Sequence, residues 1–488
     1  MKKLVLLVVL FSCGFLFSQQ FTWTKSFGGI KNDNGYFLKK IKNNGFFVVG
    51  VVSNSSDDIQ VIKLDDNSNV EWQKNIGGSK DEGISYSKNV IVDDDGNLVM
   101  VLYSYSNDGD FLESVSSGRS IWVVKLDQQG NLLNKKRFDL PPVSYDREVY
   151  SIDSFPTGYV LTTYIDEKSY LLFTDKNCNW IDSKFYKSTT IGGTLVYNDV
   201  VAISDGFLLV GTLDFSGYKY ATQIAKINFS GDVIWTSSFG NDASYYKASH
   251  IVANDDGTFA IAGNAGGTLL RPFVAKYNSL GNQMWIKVLT TNMTNDTYNG
   301  NDNLYDFMIN SNNEYVTAGS ARYAFSFARL NWNGDLLGRI FFKGNDDSYA
   351  NSVIQLDDQS YVMVGTSKAT KYLYTNTPIF NNLGPAGTSD IVMAGFNNID
   401  FSLSTNENLG QQLKTSVYPN PVVNEVFVQS KNQNIKSYQI ITEDGKLVLQ
   451  NEHIRIEKIN ISNLKVGIYY LILKDANGSQ YTHKIIKQ

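Results

Sequence analysis

Residues that commonly bind metals or transfer protons are few in this chain. Only three histidines occur among its 488 residues. They are His250, His453 and His483, so a histidine-based metal or catalytic site has a single candidate outside the C-terminal segment. We expect His250, which precedes Ile251 in a strand-like stretch, to be a packed or surface histidine. The sequence predicts neither a metal nor a cofactor, and it indicates no catalytic residue.

Two other short motifs contain reactive or ligand-type side chains. Cys178 lies in the turn-like sequence Lys-Asn-Cys-Asn without a nearby histidine, and we interpret it as incidental. The run Asp93-Asp94-Asp95-Gly96-Asn97 offers oxygen ligands for calcium, but no bidentate Glu follows at loop position twelve. An Asp-Gly hairpin turn is the favoured interpretation of that run.

An acidic residue also recurs along the chain, after each of several Trp-bearing or equivalent strands. The positions are Asp33, Asp81, Asp146, Asp242, Asp302 and Asp346. Arranged around a ring, these carboxylates would form a circle that attracts cations or basic ligands. In the alternative, structural interpretation, each Asp accepts backbone N–H bonds inside its own turn.

The elements that would position these residues form an internal repeat. A turn followed by a short apolar strand recurs seven times, as in Gly45-Phe-Phe-Val-Val-Gly50 and Asp205-Gly-Phe-Leu-Leu-Val-Gly211. Asp-Gly and Asn-Gly before a strand favour a hairpin, because both residues tolerate positive φ. Since the strands are apolar on consecutive residues, we expect them to be buried on both faces of a sheet.

A second marker follows each of these strands: a Lys-Leu-Asp-like strand, a tight turn, and a strand that carries a Trp. Ala225-Lys-Ile-Asn-Phe-Ser-Gly-Asp-Val-Ile-Trp235 is a clear copy. We place the equivalent Trp positions at Trp23, Trp72, Leu133, Trp180, Trp235, Trp285 and Leu337. A period near 50 residues with four strands per unit is typical of propeller blades.

The ends of the array predict how it closes. The chain opens on a lone Trp strand, Phe21 to Phe27, and the last unit ends at Asp390 to Phe396 without a Trp strand. Pairing these two strands would close a ring and remove an exposed sheet edge. The repeat resembles the bacterial seven-bladed β-propeller repeat family. The predicted fold is therefore all-β: a seven-bladed β-propeller closed by the N-terminal strand, followed by a small Ig-like β-sandwich.

Composition and the first residues indicate export. The net charge of -5 gives no basic footprint for nucleic acid. Lys2 and Lys3 precede an almost wholly apolar run from Leu4 to Phe17, which is typical of a signal peptide. The sequence around Cys13 also resembles a lipobox, so lipidation stays an open alternative. No later apolar run is long enough to span a bilayer. We predict a signal peptide at 1–19, a propeller at 20–402, a linker at 403–413 and a C-terminal domain at 414–488.

The C-terminal domain carries four motifs in order: Tyr-Pro-Asn-Pro, a Gly-Lys hairpin, a Leu-x-x-Gly-x-Tyr strand and a basic final strand. Together they resemble the type A C-terminal sorting domain of Bacteroidetes type IX secretion cargo. The resemblance implies type IX secretion machinery as a partner and a secreted or outer-surface location. The motif residues are Tyr418, Pro419, Asn420, Pro421, Gly445, Gly467, Tyr469, Lys484 and Lys487.

Loop lengths predict which end of the propeller binds a ligand. The short turns lie at one end of the blades, and the long inserts near Asp108, Thr290 and Ala369 lie at the other. The long-loop end also carries aromatic residues, which we propose as contacts together with the recurring Asp residues. These aromatics are Tyr245, Tyr246, Tyr298, Tyr372 and Tyr374.

Three functions are compatible with these features. The first is an exported, non-catalytic binding or adhesion protein that recognises an unknown glycan or protein. The second is a polysaccharide-degrading enzyme that uses two carboxylates, one with a raised pKa. The third is a structural spacer without a specific ligand. The missing catalytic set favours the first.

Overall fold

A computed structural model describes most of the chain. The described residues are 22–42, 44–84, 88–112, 119–138, 147–165, 168–188, 193–215, 219–240, 245–267, 269–289, 301–321, 324–343, 346–369, 388–397, 415–430, 435–442, 446–452, 458–475 and 480–488. The chain divides into two compact units, the first holding the bulk of residues 1–403 and the second residues 404–488. No helix in the described ranges is long and apolar enough to cross a membrane.

Seven antiparallel sheets, blades 1 to 7, follow one another along the first unit. The N-terminal strand β1 (Trp23–Phe27) is the outer, fourth strand of blade 7. Blade 1 contains β2 (Asn34–Lys40), β3 (Phe46–Ser53), β4 (Asp57–Leu64) and β5 (Val70–Ile76). Blade 2 contains β6 (Glu82–Gly83), β7 (Val90–Val92), β8 (Leu98–Ser104), β9 (Ser120–Leu126) and β10 (Leu132–Phe138), with a 3-10 helix at Gly109–Phe111. Blade 3 contains β11 (Arg147–Phe155), β12 (Gly158–Ile165), β13 (Lys168–Asp175) and β14 (Trp180–Tyr186).

The remaining blades repeat this order. Blade 4 contains β15 (Thr194–Ile203), β16 (Gly206–Asp214), β17 (Tyr220–Ile227) and β18 (Val233–Phe239). Blade 5 contains β19 (Tyr246–Ala253), β20 (Phe259–Gly266), β21 (Leu270–Tyr277) and β22 (Gln283–Val288). Blade 6 contains β23 (Asp302–Ile309), β24 (Tyr315–Ala321), β25 (Ala324–Leu330) and β26 (Leu336–Lys343). Blade 7 adds β27 (Ser348–Gln355), β28 (Tyr361–Ser367) and β29 (Asp390–Phe396) to β1.

Burial follows the order of the strands in each blade. The two middle strands are buried along nearly their whole length, as in β3, because neighbouring blades cover both faces. The fourth strands, such as β5, alternate between covered and exposed residues and form the outer surface. The first strand of each blade contacts the first strands of the two neighbouring blades. These first strands therefore surround the central axis of the ring.

The ring is closed by β1, as predicted. β1 pairs antiparallel with β29, in a register that sets Trp23 opposite Gly395 and Phe27 opposite Ile391. A second bond joins the two ends of the array: Asn351 Nδ2 in blade 7 donates to the Gly35 carbonyl oxygen in blade 1, at 2.7 Å. The closed seven-bladed propeller is thus confirmed.

Three of the predicted Trp-equivalent positions were wrong. In blades 1 to 6 the turn before the fourth strand begins at an Asp or Asn, and the residue equivalent to Trp72 lies seven positions after that Asp or Asn. By strand register these equivalents are Asn134, Asp182 and Gly338, instead of Leu133, Trp180 and Leu337. The turn fixes the register, since Asp65, Asp127 and Asp175 each accept the backbone N–H four residues later. Trp180 instead lies on the exposed side of β14.

The Lys of the Lys-Leu-Asp marker is structural. Lys125 Nζ lies 2.8 Å from Asp93 Oδ2, at the turn between the first two strands of its own blade. Lys226 makes the same contact with Asp205 at 2.8 Å, and in blade 6 Arg329 Nε pairs with Glu314 at 2.9 Å. Each pair ties the third strand to the first hairpin of the blade. The charged residues of the repeat are thus used to fix strand order.

The second unit is a two-sheet sandwich. One sheet contains β30 (Thr415–Tyr418), β31 (Glu425–Ser430) and β34 (Lys458–Asn460). The other contains β32 (Ile435–Thr442), β33 (Leu447–Glu452), β35 (Gly467–Asp475) and β36 (Gln480–Lys487). Buried residues of both sheets, including Val426, Ile440 and Leu471, form its own apolar core. The predicted sandwich is confirmed.

Candidate functional site

The two ends of the propeller differ in what they carry. One end, here the turn face, holds the two hairpin turns of each blade. The opposite end, here the loop face, holds the connection between the second and third strands and the connection to the next blade. On the turn face, Asp93 Oδ1 accepts the N–H groups of Asp95 and Asn97, at 3.1 and 2.9 Å. The run from Asp93 to Asn97 is therefore a hairpin turn stabilised by its own aspartate.

The recurring aspartates in the described ranges, Asp33, Asp81, Asp302 and Asp346, lie at or just before the first strands of their blades, on the loop face, but in different surroundings. Asp33 is fully buried and accepts the N–H groups of Gly29 and Ser53, at 2.5 and 2.8 Å. Burial raises the pKa of this carboxyl group. These bonds are those expected of the structural interpretation of Asp33.

The other recurring aspartates do not share one environment. Asp302 is also fully buried, with the guanidinium of Arg339 at 3.6 Å and that of Arg271 at 4.0 Å. Asp81 and Asp346 are exposed. Asp146 and Asp242 lie outside the described residues. In blade 2 the residue equivalent to Asp33 is Glu82. Its Oε2 accepts the Gly78 N–H at 2.9 Å.

Two of the predicted contact tyrosines are described. Tyr245 lies half-buried on the loop face, edge-on to Tyr220 with ring centroids 4.9 Å apart. Tyr246 packs against Phe239 and Phe273 beside the core, at 5.0 and 5.7 Å. Tyr298, Tyr372 and Tyr374 lie outside the described residues. Both tyrosines are half-buried, and burial raises the pKa of the Tyr245 hydroxyl.

An aromatic and charged cluster on the loop face was missed at the sequence level. The Arg119 guanidinium lies over the ring of Tyr103 at 4.2 Å and near that of Tyr105 at 5.7 Å. Arg119 Nη1 also lies 3.9 Å from Glu148 of blade 3, whose carboxylate accepts the Tyr150 hydroxyl at 2.7 Å. We call Tyr103, Tyr105, Arg119, Glu148 and Tyr150 the Arg119 cluster. The sequence signal that could have revealed this cluster is a charged residue directly before β9 together with two tyrosines at the end of β8.

Acidic residues also gather on the loop face between blades 1 and 2. Burial raises the pKa of Asp58, and the neighbouring Asp110 and Asp57 raise it further. Burial likewise raises the pKa of Glu82, to which Asp58 adds a smaller effect. Both Glu82 oxygens are used structurally, because Oε1 accepts the Ser104 hydroxyl at 2.6 Å and Oε2 the Gly78 N–H. In the described part of the chain, the Asp58 carboxylate accepts no such hydrogen bond.

A third group of charged residues surrounds the ring axis. We call it the axial cluster; its members are Lys39, Lys88, Asp153, Asp199, His250 and Asp306, carried on or next to the first strands of blades 1 to 6. The carboxylates hold neighbouring blades together. Asp153 accepts the Ala202 N–H at 2.8 Å, and Asp199 accepts that of Ile251 at 3.0 Å.

The carboxylates of the axial cluster affect the pKa values of its basic members. Burial lowers the pKa of Lys39, and Asp306 and other carboxylates offset only part of that effect. For Lys88, burial also opposes the charge, but Asp153, Asp199 and Asp306 together raise the pKa. Lys88 Nζ lies 3.5 Å from the Val200 carbonyl oxygen, so its side chain reaches from blade 2 to blade 4. Charged residues from several blades therefore influence one another's pKa within this cluster.

Both isolated reactive residues are buried. His250 is 6% exposed and belongs to the axial cluster, and burial lowers its pKa. Cys178 is fully buried at a turn position with φ of 63°, which glycine occupies in other blades, as at Gly130 and Gly231. Burial raises the pKa of its thiol to about 12, so the thiolate nucleophile is scarce at neutral pH.

In the C-terminal unit, the Tyr-Pro-Asn-Pro motif docks on the last strand. Asn420 Nδ2 donates to the Lys484 carbonyl oxygen at 2.8 Å, and its Oδ1 accepts the Ile486 N–H at 2.8 Å. The Tyr469 hydroxyl donates to the Lys465 carbonyl oxygen at 2.9 Å. Lys487 is largely buried. Gly467 begins β35, and Gly445 lies outside the described residues. The motif thus joins the first and last segments of this unit.

Comparison with known proteins adds information at the C-terminus. Residues 416–488 match the family described as Secretion system C-terminal sorting domain. No curated protein matches the chain.

Solved structures match the chain only distantly. A subtype N10 neuraminidase-like protein of A/little yellow-shouldered bat/Guatemala/060/2010 has a TM-score of 0.38 and 9% identity over 64% of this chain and 95% of that chain. The periplasmic gluconolactonase PpgL of Pseudomonas aeruginosa has a TM-score of 0.40 and 11% identity over 62% of this chain and 84% of that chain. Likenesses at this level have no bearing on function. The chain is thus a secreted or cell-surface β-propeller protein that ends in a type IX secretion C-terminal sorting domain.

Proposed function

We propose that this protein is an exported, non-catalytic binding or adhesion protein. Its sorting domain delivers the propeller through the type IX secretion machinery, and the propeller recognises a glycan or a protein with its loop face. The bound partner is either soluble or part of another surface, so the protein acts as an adhesin or as a capture module. The signal peptide predicted at residues 1–19 would bring the chain to the periplasm first.

The observation that supports this most is the Arg119 cluster. Tyr105 is 38% exposed and stands beside the Arg119 guanidinium on a connection held by rigid blades. Tyr supplies contact area at low entropic cost, and an arginine stacked on aromatic rings offers planar donors to hydroxyl or carboxylate groups. Tyr220 and Tyr245 form a second aromatic pair on the same face. Both groups suit stacking on sugar rings or on a protein surface.

The turn face offers less to a partner. Its repeated polar residues are already bonded within their own blades, as for Lys125 with Asp93 and Arg329 with Glu314. Its repeated Asp and Asn residues accept the backbone N–H groups of their own turns. A ligand would have to displace bonds that hold the blades together. The loop face is therefore the better binding surface.

An enzyme acting on polysaccharides is the second candidate, and Asp58 is its specific support. A carboxyl group with a raised pKa is suited to act as a general acid, and Asp57 and Asp110 lie close by. A structural spacer without a specific ligand remains the third interpretation.

One screen separates these functions. The full-length mature protein is applied to an array of plant, algal and animal glycans, and the supernatant over each polysaccharide is assayed for new reducing ends. Retention without new reducing ends supports the binding function. Release of reducing ends that is lost in Asp58→Asn supports the enzyme instead. Neither retention nor release, on glycans and on a parallel panel of extracellular-matrix proteins, contradicts the proposed binding function.

A further inference from the structure

The outer strand of blade 3, β14, forms an apolar sheet edge. Trp180, Ile181 and Phe185 are 49, 59 and 56% exposed, and no other outer strand in the described ranges exposes two aromatic side chains. In that part of the chain β14 pairs with β13 alone, so its other side is open. An exposed apolar edge strand is a template for pairing with a strand of another chain.

A hydrogen bond of Ser183 shows which backbone groups of β14 point to the open side. The Ser183 N–H donates to Oδ1 of the neighbouring Asp182 at 2.7 Å, so it points away from β13. Because successive residues of an antiparallel strand alternate in direction, the N–H and C=O groups of Phe185 point the same way as those of Ser183. These two residues therefore carry the backbone groups that a further strand would use.

The alternation limits how a strand pairs with a copy of itself. Facing residues must both point toward the partner strand or both point away, so self-pairing is centred on a residue and joins residues an even number of positions apart. Among the seven outer strands, β14 alone has opposite charges at such a spacing, on Asp182 and Lys184. In β5, Glu71 and Lys74 are three positions apart, and the other five strands carry charges of one sign or none.

We propose that β14 pairs with β14 of a second copy of this chain, antiparallel and centred on Ser183, to form a symmetric dimer. In this register Asp182 faces Lys184 of the second copy, and Ile181 faces its Phe185. Each contact occurs twice by symmetry. Opposite charges, and an aromatic facing a β-branched side chain, are favourable cross-strand pairs. Centring on Asp182 or on Lys184 would instead set like charges opposite each other.

The present contacts of these residues exchange at small cost. Lys184 Nζ pairs with Asp232 Oδ1 of blade 4 at 2.6 Å, with both side chains partly exposed, and such surface pairs contribute little. In the dimer, the Ser183 N–H donates to the Ser183 carbonyl oxygen of the second copy, and Asp182 gains Lys184 as its partner. The dimer thus exchanges weak surface contacts for backbone bonds between chains, and it buries Ile181 and Phe185.

Sedimentation equilibrium of the mature protein, without any glycan, measures this dimerisation. We expect a concentration-dependent dimer for wild type and a dissociation constant at least about tenfold higher for Ser183→Pro. Proline removes the outward N–H without removing a bond to β13. Thr236→Pro is the matched control, because Thr236 is the equivalent residue of β18, and it should dimerise like wild type. Thermal melts verify that both variants are folded.

Charge reversal tests the register. Asp182→Lys sets two lysines opposite each other and Lys184→Asp sets two aspartates opposite each other, so each variant alone should dimerise at least about tenfold more weakly than wild type. An equimolar mixture of the two variants restores opposite charges at both contacts and should recover the dimer. Mixing would not reverse an effect that arises from folding alone.

Three outcomes would overturn the inference: a wild type that stays monomeric up to about 0.1 mM, equal dissociation constants for Ser183→Pro and Thr236→Pro, or no recovery in the mixture. A monomeric wild type would leave the edge of β14 to a strand of a different protein. If Ser183→Pro fails to fold, the charge variants decide the same question. The measurement does not involve the loop face, so a failed glycan screen and a failed dimerisation are separate findings.

Discussion

The indole of Trp235, on the outer strand of blade 4, lies directly against Gly281 in a turn of blade 5. A Cβ atom on Gly281 would come within 2.7 Å of the indole ring. In the same way, Trp285 of blade 5 lies against Gly334 of blade 6, and Trp72 of blade 1 lies against Gly130 of blade 2. The Trp and Gly of the repeat are therefore partners between neighbouring blades, and they close the outer part of each blade interface.

Removing either partner should loosen the propeller. We expect Trp235→Ala to lower the free energy of unfolding by about 2–4 kcal/mol, because it leaves a cavity at the interface. Gly281→Val should cost at least about 2 kcal/mol, since Gly281 has φ of 78° and no space for a side chain. Ile234→Ala, on the exposed side of the same strand, should change the stability by less than about 0.5 kcal/mol. Urea denaturation measures all three; equal losses in Ile234→Ala and Trp235→Ala would contradict the interface.

Ring closure by β1 should support the whole propeller. Deleting residues 20–28 removes the pairing of β1 with β29 and exposes the edge of blade 7. We expect a lower melting temperature for the entire propeller transition in calorimetry, with the sorting-domain transition unchanged. Lys31→Ala, in the exposed connection that follows, is the control and should melt like wild type. A propeller transition that is unaffected by the deletion would show that β1 contributes nothing to closure.

His250 should make the fold sensitive to acid. Burial lowers its folded pKa below the ordinary 6.5; Asp306 and Asp199 oppose that effect, while Lys88 and Lys39 add to it. The unfolded chain then takes up a proton as the pH falls below about 6.5 while the folded chain does not, so stability declines by up to about 1.4 kcal/mol per pH unit. Between pH 7.5 and 5.5, wild type should lose about 1 kcal/mol more propeller stability than His250→Gln. Equal losses would mean that the imidazole takes up its proton as readily in the folded chain as in the unfolded chain.

Asn420 should be required for the sorting domain to reach the secretion machinery in folded form. Asn420→Ala removes two bonds to β36, which we expect to cost about 1–3 kcal/mol in that domain alone. Cell fractionation should then show less protein outside the cell and more in the periplasm, as in a deletion of residues 416–488. Asn424→Ala tests a neighbouring asparagine and should be exported normally. Normal export of the deletion variant would refute a sorting role for the domain.

Much of the fold could be predicted from the sequence because its signals are local. Consecutive apolar residues after Asp-Gly turns gave the buried strands, and the lone Trp23 strand indicated closure. The error at Trp180 arose from following one residue type, whereas the register depends on the turn that begins at Asp175. A fourth strand without a Trp therefore keeps its register when the hydrogen bonds of the preceding turn are present.

The candidate sites were harder to predict because they depend on the closed ring. Lys39 and Asp306 lie far apart in sequence, and each shares its strand with only one other charged residue, Lys40 or Asp302. Only closure of seven blades brings them to one axis. In the same way, Arg119 and Glu148 meet because blades 2 and 3 are neighbours. Local motifs contain no information about such pairs.

The loop face is the central claim of the proposed function, and paired variants on a glycan or matrix-protein array test it. The loop-face variant combines Tyr105→Ser, Arg119→Ala and Tyr245→Ser, and the turn-face control is Leu280→Ser, a residue that is 72% exposed. We predict that the loop-face variant loses at least about tenfold in affinity for whichever array component wild type retains, without a change in melting temperature. Leu280→Ser should bind like wild type. Full affinity in the loop-face variant, or a loss confined to Leu280→Ser, would contradict the account.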